Sequence, residues 1–138
     1  MNGGQIDWVQ LFFSSSGRMA RTPFLAAMAL LIVFLSVYDA AASRILHWLT
    51  GWFVYPVLIF TAACVLSKRL HDRGRSGWWA AMVLVAFAAI WPAPRGFLGF
   101  VACVALVWTV VELGVMGGEQ GANRFGPNPL RPAPVPEL

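Results

Sequence analysis

The chain has 138 residues, of which 59% are hydrophobic and only 12% charged, and its formal net charge is +4. Soluble domains are usually about 45–50% apolar and about 25% charged, and a domain this short has too much surface for its volume to hide the excess from water. The composition excludes an ordinary soluble domain. It also speaks against nucleic acid as a partner, because the cations gather at the ends of apolar runs rather than in a patch interleaved with aromatics.

Residues 1–22 precede the first long apolar run and read as a cytoplasmic N-terminal segment. Within them, Gln5 to Phe13 carries Ile6, Trp8, Val9, Leu11, Phe12 and Phe13. That stretch is too short to span a bilayer; an interfacial amphipathic helix and a flexible tail both fit it. Ser14-Ser15-Ser16-Gly17 separates it from the first span.

Four segments are long and apolar enough to cross a bilayer, which takes about 20 residues per helix. They run from Pro23 to about Ala42, from about Trp48 to Ser67, from Gly77 to Pro94, and from about Gly96 to Met116. None shows the period-two alternation of a barrel strand, and only helices or closed barrels satisfy their backbone in lipid. The expected fold is all-α: an integral-membrane four-helix bundle over residues 23–117. Arg18 and Arg21 ahead of a run ending in Ala40-Ala41-Ala42 also fit a secretory signal peptide, although the charged region starts late for one. Small residues, among them Ala26, Ala62, Ala81, Ala89, Gly99 and Ala102, are expected where helices touch. Trp91-Pro92-Ala93-Pro94-Arg95-Gly96 is expected to turn the third span back into the fourth.

Between the second and third spans lies Lys68-Arg69-Leu70-His71-Asp72-Arg73-Gly74-Arg75-Ser76-Gly77, with four cations in ten residues. Such a segment belongs in water. With the N-terminus inside, the inner parts hold Arg18, Arg21, Lys68, Arg69, Arg73, Arg75, Arg124 and Arg131, and the outer parts only Arg44 and Arg95. Eight against two predicts that both termini are cytoplasmic. Trp48, Trp52, Trp78, Trp79 and Trp91 fall near span ends, as interfacial anchors do. Residues 118–138 form a Gly/Pro-rich cytoplasmic tail, extended beyond Pro127.

Three polar motifs thus meet on one expected face: Gly17-Arg18-x-x-Arg21 with Phe24 after it, the 68–77 break continued by Trp78-Trp79, and Gly118-x-x-Gly121-x-Asn123-Arg124-Phe125-Gly126-Pro127-Asn128-Pro129. Together they resemble the family called domain of unknown function 805, over about Trp8 to Pro129. Leu25 stands where that family is expected to carry a bulky aromatic. The resemblance implies a small bacterial inner-membrane protein and assigns no activity.

Each motif has a structural reading. Cations after the second span suit a helix C-terminus, Gly74 suits a left-handed helix end, and Ser76 suits the cap of the next helix. Phe125 is expected to tuck under the cytoplasmic face. Glu112, near the end of the fourth span, is expected in an ion pair with Arg69 or Arg124. The binding reading takes Arg18, Arg21, Lys68, Arg69, Arg73, Arg75 and Arg124 as anion ligands, because an arginine fork matches a phosphate and the inner leaflet supplies anionic phospholipid headgroups. A membrane-protein partner or a second copy of the chain is the alternative occupant. His71 and Asp72 are the candidate acid–base pair of a lipid-headgroup enzyme, although neighbours on a helix point about 100° apart. A transporter or channel subunit is the third class, with few intramembrane polar groups to line a path. Cys64 and Cys103 read as buried hydrophobes, and no metal or cofactor is expected.

Overall fold

The computed structural model describes residues 7–131, and within them the fold is helical, with a single bridge pair, Asn123–Gly126, in place of any strand. The extended run expected of the prolines at 132, 134 and 136 lies outside the described residues, as do Gln5 and Ile6.

The chain opens with α1, Trp8–Phe13, whose N-terminus is capped by the Asp7 carboxylate accepting from Val9 and Gln10 N–H. The segment is helical over Trp8–Phe13. Next come α2, Arg21–Ala41, α3, Arg44–Asp72, α4, Trp79–Ile90, and α5, Gly96–Thr109, which runs on as a π-helical turn over Val110–Val115. Ser43 caps α3 by accepting from Leu46 N–H. Three helical stretches are long and apolar enough to cross a membrane: Arg21–Ala41, Arg44–Asp72 and Gly96–Val115.

The third expected span is shorter than its apolar run. α4 has 12 residues, or about 18 Å of rise. Pro92 and Pro94 end the helix, since proline disfavours helical geometry in the residue before it. Ser76 does not cap α4 as expected; the helix starts at Trp79, and the Ser76 hydroxyl meets only Trp78 N–H, at 3.5 Å. α3 is longer than its apolar run, and its last turns rise past Ser67 as a polar column. Pro56 lies inside it, which membrane helices tolerate.

Successive helices pack as neighbours, α2 on α3, α3 on α4, and α4 on α5, and α2 also meets the π turn. Ala62 and Ala102 are buried as expected, and Gly99 is buried too, but against Pro94 of the turn before its own helix. Ala26, Ala81 and Ala89 instead face outward, and Ala27 and Ala80 take the inner positions, one residue along.

Burial is inverted relative to a soluble protein. Phe34, Val37, Trp48, Trp52, Phe97 and Trp108 are each more than half exposed, while Arg69 is 0% exposed. Water would penalise the first set and the interior the second; a hydrocarbon surround accounts for the apolar exterior. Both cysteines are free.

Candidate functional site

The three polar motifs come together at one end of the bundle, and the arrangement answers one problem. A helix leaves its last four carbonyls without intrahelical partners. Here two helices, α3 and the α5–π stretch, finish side by side at the same end. Their orphan carbonyls point out of the same end of the bundle, where two partial negative charges gather.

α3 solves its half with a Schellman ending. Arg75 N–H reaches back to Leu70 C=O at 2.8 Å and Gly74 N–H to His71 C=O at 3.0 Å, with Gly74 at φ +70° as its position requires. The other two motifs take the last free carbonyl, on Asp72, and add second bonds to carbonyls just before it. Met19 N–H donates to Lys68 C=O at 3.2 Å, Glu119 N–H to Asp72 C=O at 2.8 Å, and Asn123 Nδ2 to His71 C=O at 2.9 Å.

The π turn is closed by arginines. Arg69 donates from Nε to Leu113 C=O at 2.7 Å and from a terminal nitrogen to Met116 C=O at 2.6 Å. Arg21 reaches Val115 C=O at 3.1 Å and Arg73 reaches Gly117 C=O at 2.6 Å. Arg18 then holds the 118–126 loop through Glu119 C=O and Gly121 C=O, both at 2.6 Å. Lys68 holds α1 through the carbonyls of Gln10 and Leu11.

Asp72 is the anionic centre. Its carboxylate accepts from Arg69 and, at 3.0 Å, from Arg18; the two guanidinium side chains are 0% and 1% exposed and the carboxylate 4%. Burying a charge is costly unless it is paired and hydrogen-bonded, and this one meets both conditions. Glu112 is the second anion. It pairs with Arg75 at 2.9 Å and stands 3.7 Å from Arg73, and Trp108 Nε1 donates to it at 3.1 Å. The expected ion pair is present with different partners, because Arg69 is already engaged by the π-turn carbonyls and Asp72.

His71 and Asp72 have different neighbours. The His71 ring stacks on Phe125, centroids 3.8 Å apart, and its Nδ1 is 3.2 Å from Gly17 C=O. The stack holds Phe125 against the end of α3. Arg124 is exposed and lies over the other residue of that stack, 4.7 Å from the Phe125 centroid. An open cavity of about 650 Å³ lies between α1 and the 14–20 segment, with Arg18 and Lys68 in its wall.

The glycines of the motifs are packing residues. A Cβ on Gly118 would lie 2.0 Å from an Asp72 carboxylate oxygen, and one on Gly74 would lie 2.2 Å from the Glu119 carboxylate. Residues 118–131 are therefore not a loose tail. They fold back on α3, with Asn128 Nδ2 bonded to Gln120 C=O at 2.9 Å and to Glu119 C=O at 3.3 Å.

A second polar cluster, not anticipated from the sequence, sits at the far end. Asp39 accepts from Tyr55 OH at 2.7 Å and from Trp91 Nε1 at 2.9 Å, and His47 Nε2 lies 3.5 Å away. Tyr38 OH pairs with Thr50 at 2.8 Å and its ring meets Tyr55 edge-on. The cluster ties α2, α3 and the end of α4. Its one sequence signal is a lone carboxylate in an apolar run. No grouping of His, Cys, Asp and Glu suited to a metal occurs among the described residues.

Apolar spanning helices with an arginine-sealed polar end define a helical membrane protein. The chain belongs to the DUF805 family, described as "Protein of unknown function", whose profile matches residues 12–127. It is 36% identical over 126 residues to "Uncharacterized protein YiiR" of Escherichia coli K12, covering 85% of this chain and 86% of that protein. It is 32% identical over 77 residues to "Inner membrane protein YhaH" of the same strain, covering 55% of this chain and 50% of that one. No solved structure matches.

Proposed function

We propose that the protein is a multi-pass protein of the bacterial inner membrane, crossing four times with both termini cytoplasmic, and that its cap binds anionic phospholipid headgroups through the cations on its rim. The observation that carries the binding reading is the division of labour among the cations. Arg18, Lys68 and Arg69 are inside the cap and engaged by backbone carbonyls and Asp72. Arg75 and Arg124 are on its outside, and the Arg75 side chain stays 49% exposed even with Glu112 beside it. The three motif segments hold seven cations against Asp72, Glu112 and Glu119. The outward-facing members of that surplus, Arg75 and Arg124, are the ones open to inner-leaflet phosphates, which arginine forks bind well.

Several features support the crossing pattern. The start of α2, the end of α3, the start of α4 and the end of the π turn share the cap end, and Arg44 and Arg95 belong to the other. α4, with about 18 Å of rise, is short for a bilayer of about 30 Å, and the turn over residues 91–95 completes that crossing. The relative named an inner membrane protein accords with the location.

Purified protein is expected to retain phosphatidylglycerol, read by mass spectrometry of the co-purifying lipids. The Arg75→Gln/Arg124→Gln double variant is expected to lose most of that retention and to stay folded in detergent, since Glu112 keeps Arg73 at 3.7 Å and gains no like charge beside it. Unchanged retention in a folded double variant would remove the binding reading.

A further inference from the structure

Between α2, α3, α4 and α5 lies a slot of about 520 Å³ whose walls are apolar side chains. Only two hydroxyls reach it, and both are already bonded: Tyr55 OH to Asp39 and Thr109 OH to Ala105 C=O. A cavity without available polar groups does not hold water, and an occupant must be apolar.

The length of the slot selects the occupant. Its wall on α2 runs from Phe24 to Leu35. Eleven residues of helix rise about 16 Å, which is the depth of one leaflet of a hydrocarbon core about 30 Å thick. The far end is bounded by Tyr55 and Ile90, beside the cluster around Asp39, which holds Tyr55 and also Trp91, the residue after Ile90. At the cap end the wall consists of Phe24, Leu25 and Gly114, with Leu25 Cδ2 packed over Gly114.

Arg21 lies one helical turn beyond Phe24 and Leu25, on the same face of α2. It is exposed and donates one hydrogen bond, to Val115 C=O, and no carboxylate pairs with it among the described residues. An unpaired cation thus stands one helical turn beyond Leu25, a half-exposed wall residue at the cap end of a slot one leaflet deep. Resting on the headgroup reading, we infer that the slot seats one acyl chain of an anionic phospholipid of the cap-side leaflet, whose phosphate lies against Arg21.

The test uses the full chain in nanodiscs containing a phospholipid with a diazirine in its acyl chain, in two versions with identical chains, phosphatidylglycerol and phosphatidylcholine. After irradiation, adducts are mapped by peptide mass spectrometry. Phosphatidylglycerol is expected to mark slot residues such as Met28, Leu58 and Val83 above the outward-facing Phe34 and Val37, and to do so about five-fold more than phosphatidylcholine. Arg21→Gln is expected to bring the two lipids level, and Ala29→Phe, at an exposed wall position, to suppress slot adducts with either. Slot residues marked no more than Phe34 and Val37, as they would be with a second copy seated there, overturn the inference. Equal marking of the wild-type slot by both lipids overturns its anionic part. Neither result touches the Arg75/Arg124 retention test, which decides the headgroup reading separately.

Discussion

Asp72→Ala is expected to cost about 3–5 kcal/mol of stability, the usual penalty for leaving a buried charge without its partner. Asp72 is the carboxylate shared by Arg18 and Arg69, and neither guanidinium reaches solvent. Without it, two like charges remain side by side in a closed interior. Their carbonyl partners on Leu113, Met116, Glu119 and Gly121 carry only partial charge and do not replace an anion. The cap should open first at the 119–121 part of the loop, which Arg18 holds through two carbonyls and which loses its anchor once Asp72 no longer fixes that guanidinium. Thermal unfolding in detergent gives the magnitude, and trypsin cleavage after Arg124 gives the location. Asp72→Asn keeps the size and loses the charge, and should show most of the same loss. A variant that is as stable and as protease-resistant as the parent would mean that the triad is not a structural element.

Gly118→Ala should be nearly as severe, through shape rather than charge. Its methyl group would fall 2.0 Å from one Asp72 carboxylate oxygen and 2.5 Å from the carboxylate carbon. The carboxylate has no room to yield, because Arg18 and Arg69 fix it, so the loop must move. Overpacking of this kind costs about 1–3 kcal/mol, and this case belongs at the upper end. Gly121→Ala is the matched control, since a Cβ there meets nothing within 4 Å. The expected result in the same detergent melt is a clear loss for position 118 and almost none for position 121. Equal effects would indicate that the loop does not lie against α3.

Much of this was legible in the sequence, for identifiable reasons. The end of α3 at Gly74 comes from local chemistry, because a glycine after a cationic helix end is suited to the left-handed position. The meeting of the three motifs came from counting cations along apolar runs. What stayed hidden was the partner of each arginine. Most accept-side atoms in the cap are backbone carbonyls, which every residue carries, so nothing in the sequence marks Leu113 or Glu119 as the place an arginine will reach. The same holds for the tie between Asp39 and Trp91, 52 residues apart: each alone reads as an interfacial residue. Apolar composition also overstated α4, since Trp91 to Pro94 is as greasy as a helix but contains two prolines. The family resemblance carried the motifs but no roles, and the geometry assigns most of them to holding the fold.

The cap depends on the amide hydrogens that join the motifs, and hydrogen exchange in nanodiscs reads them directly. Met19 N–H, bonded to Lys68 C=O, and Glu119 N–H, bonded to Asp72 C=O, lie outside the helices yet should exchange as slowly as amides near the buried Leu66 in the last third of α3. Exchange of both at the rate of an unstructured peptide would contradict the cap.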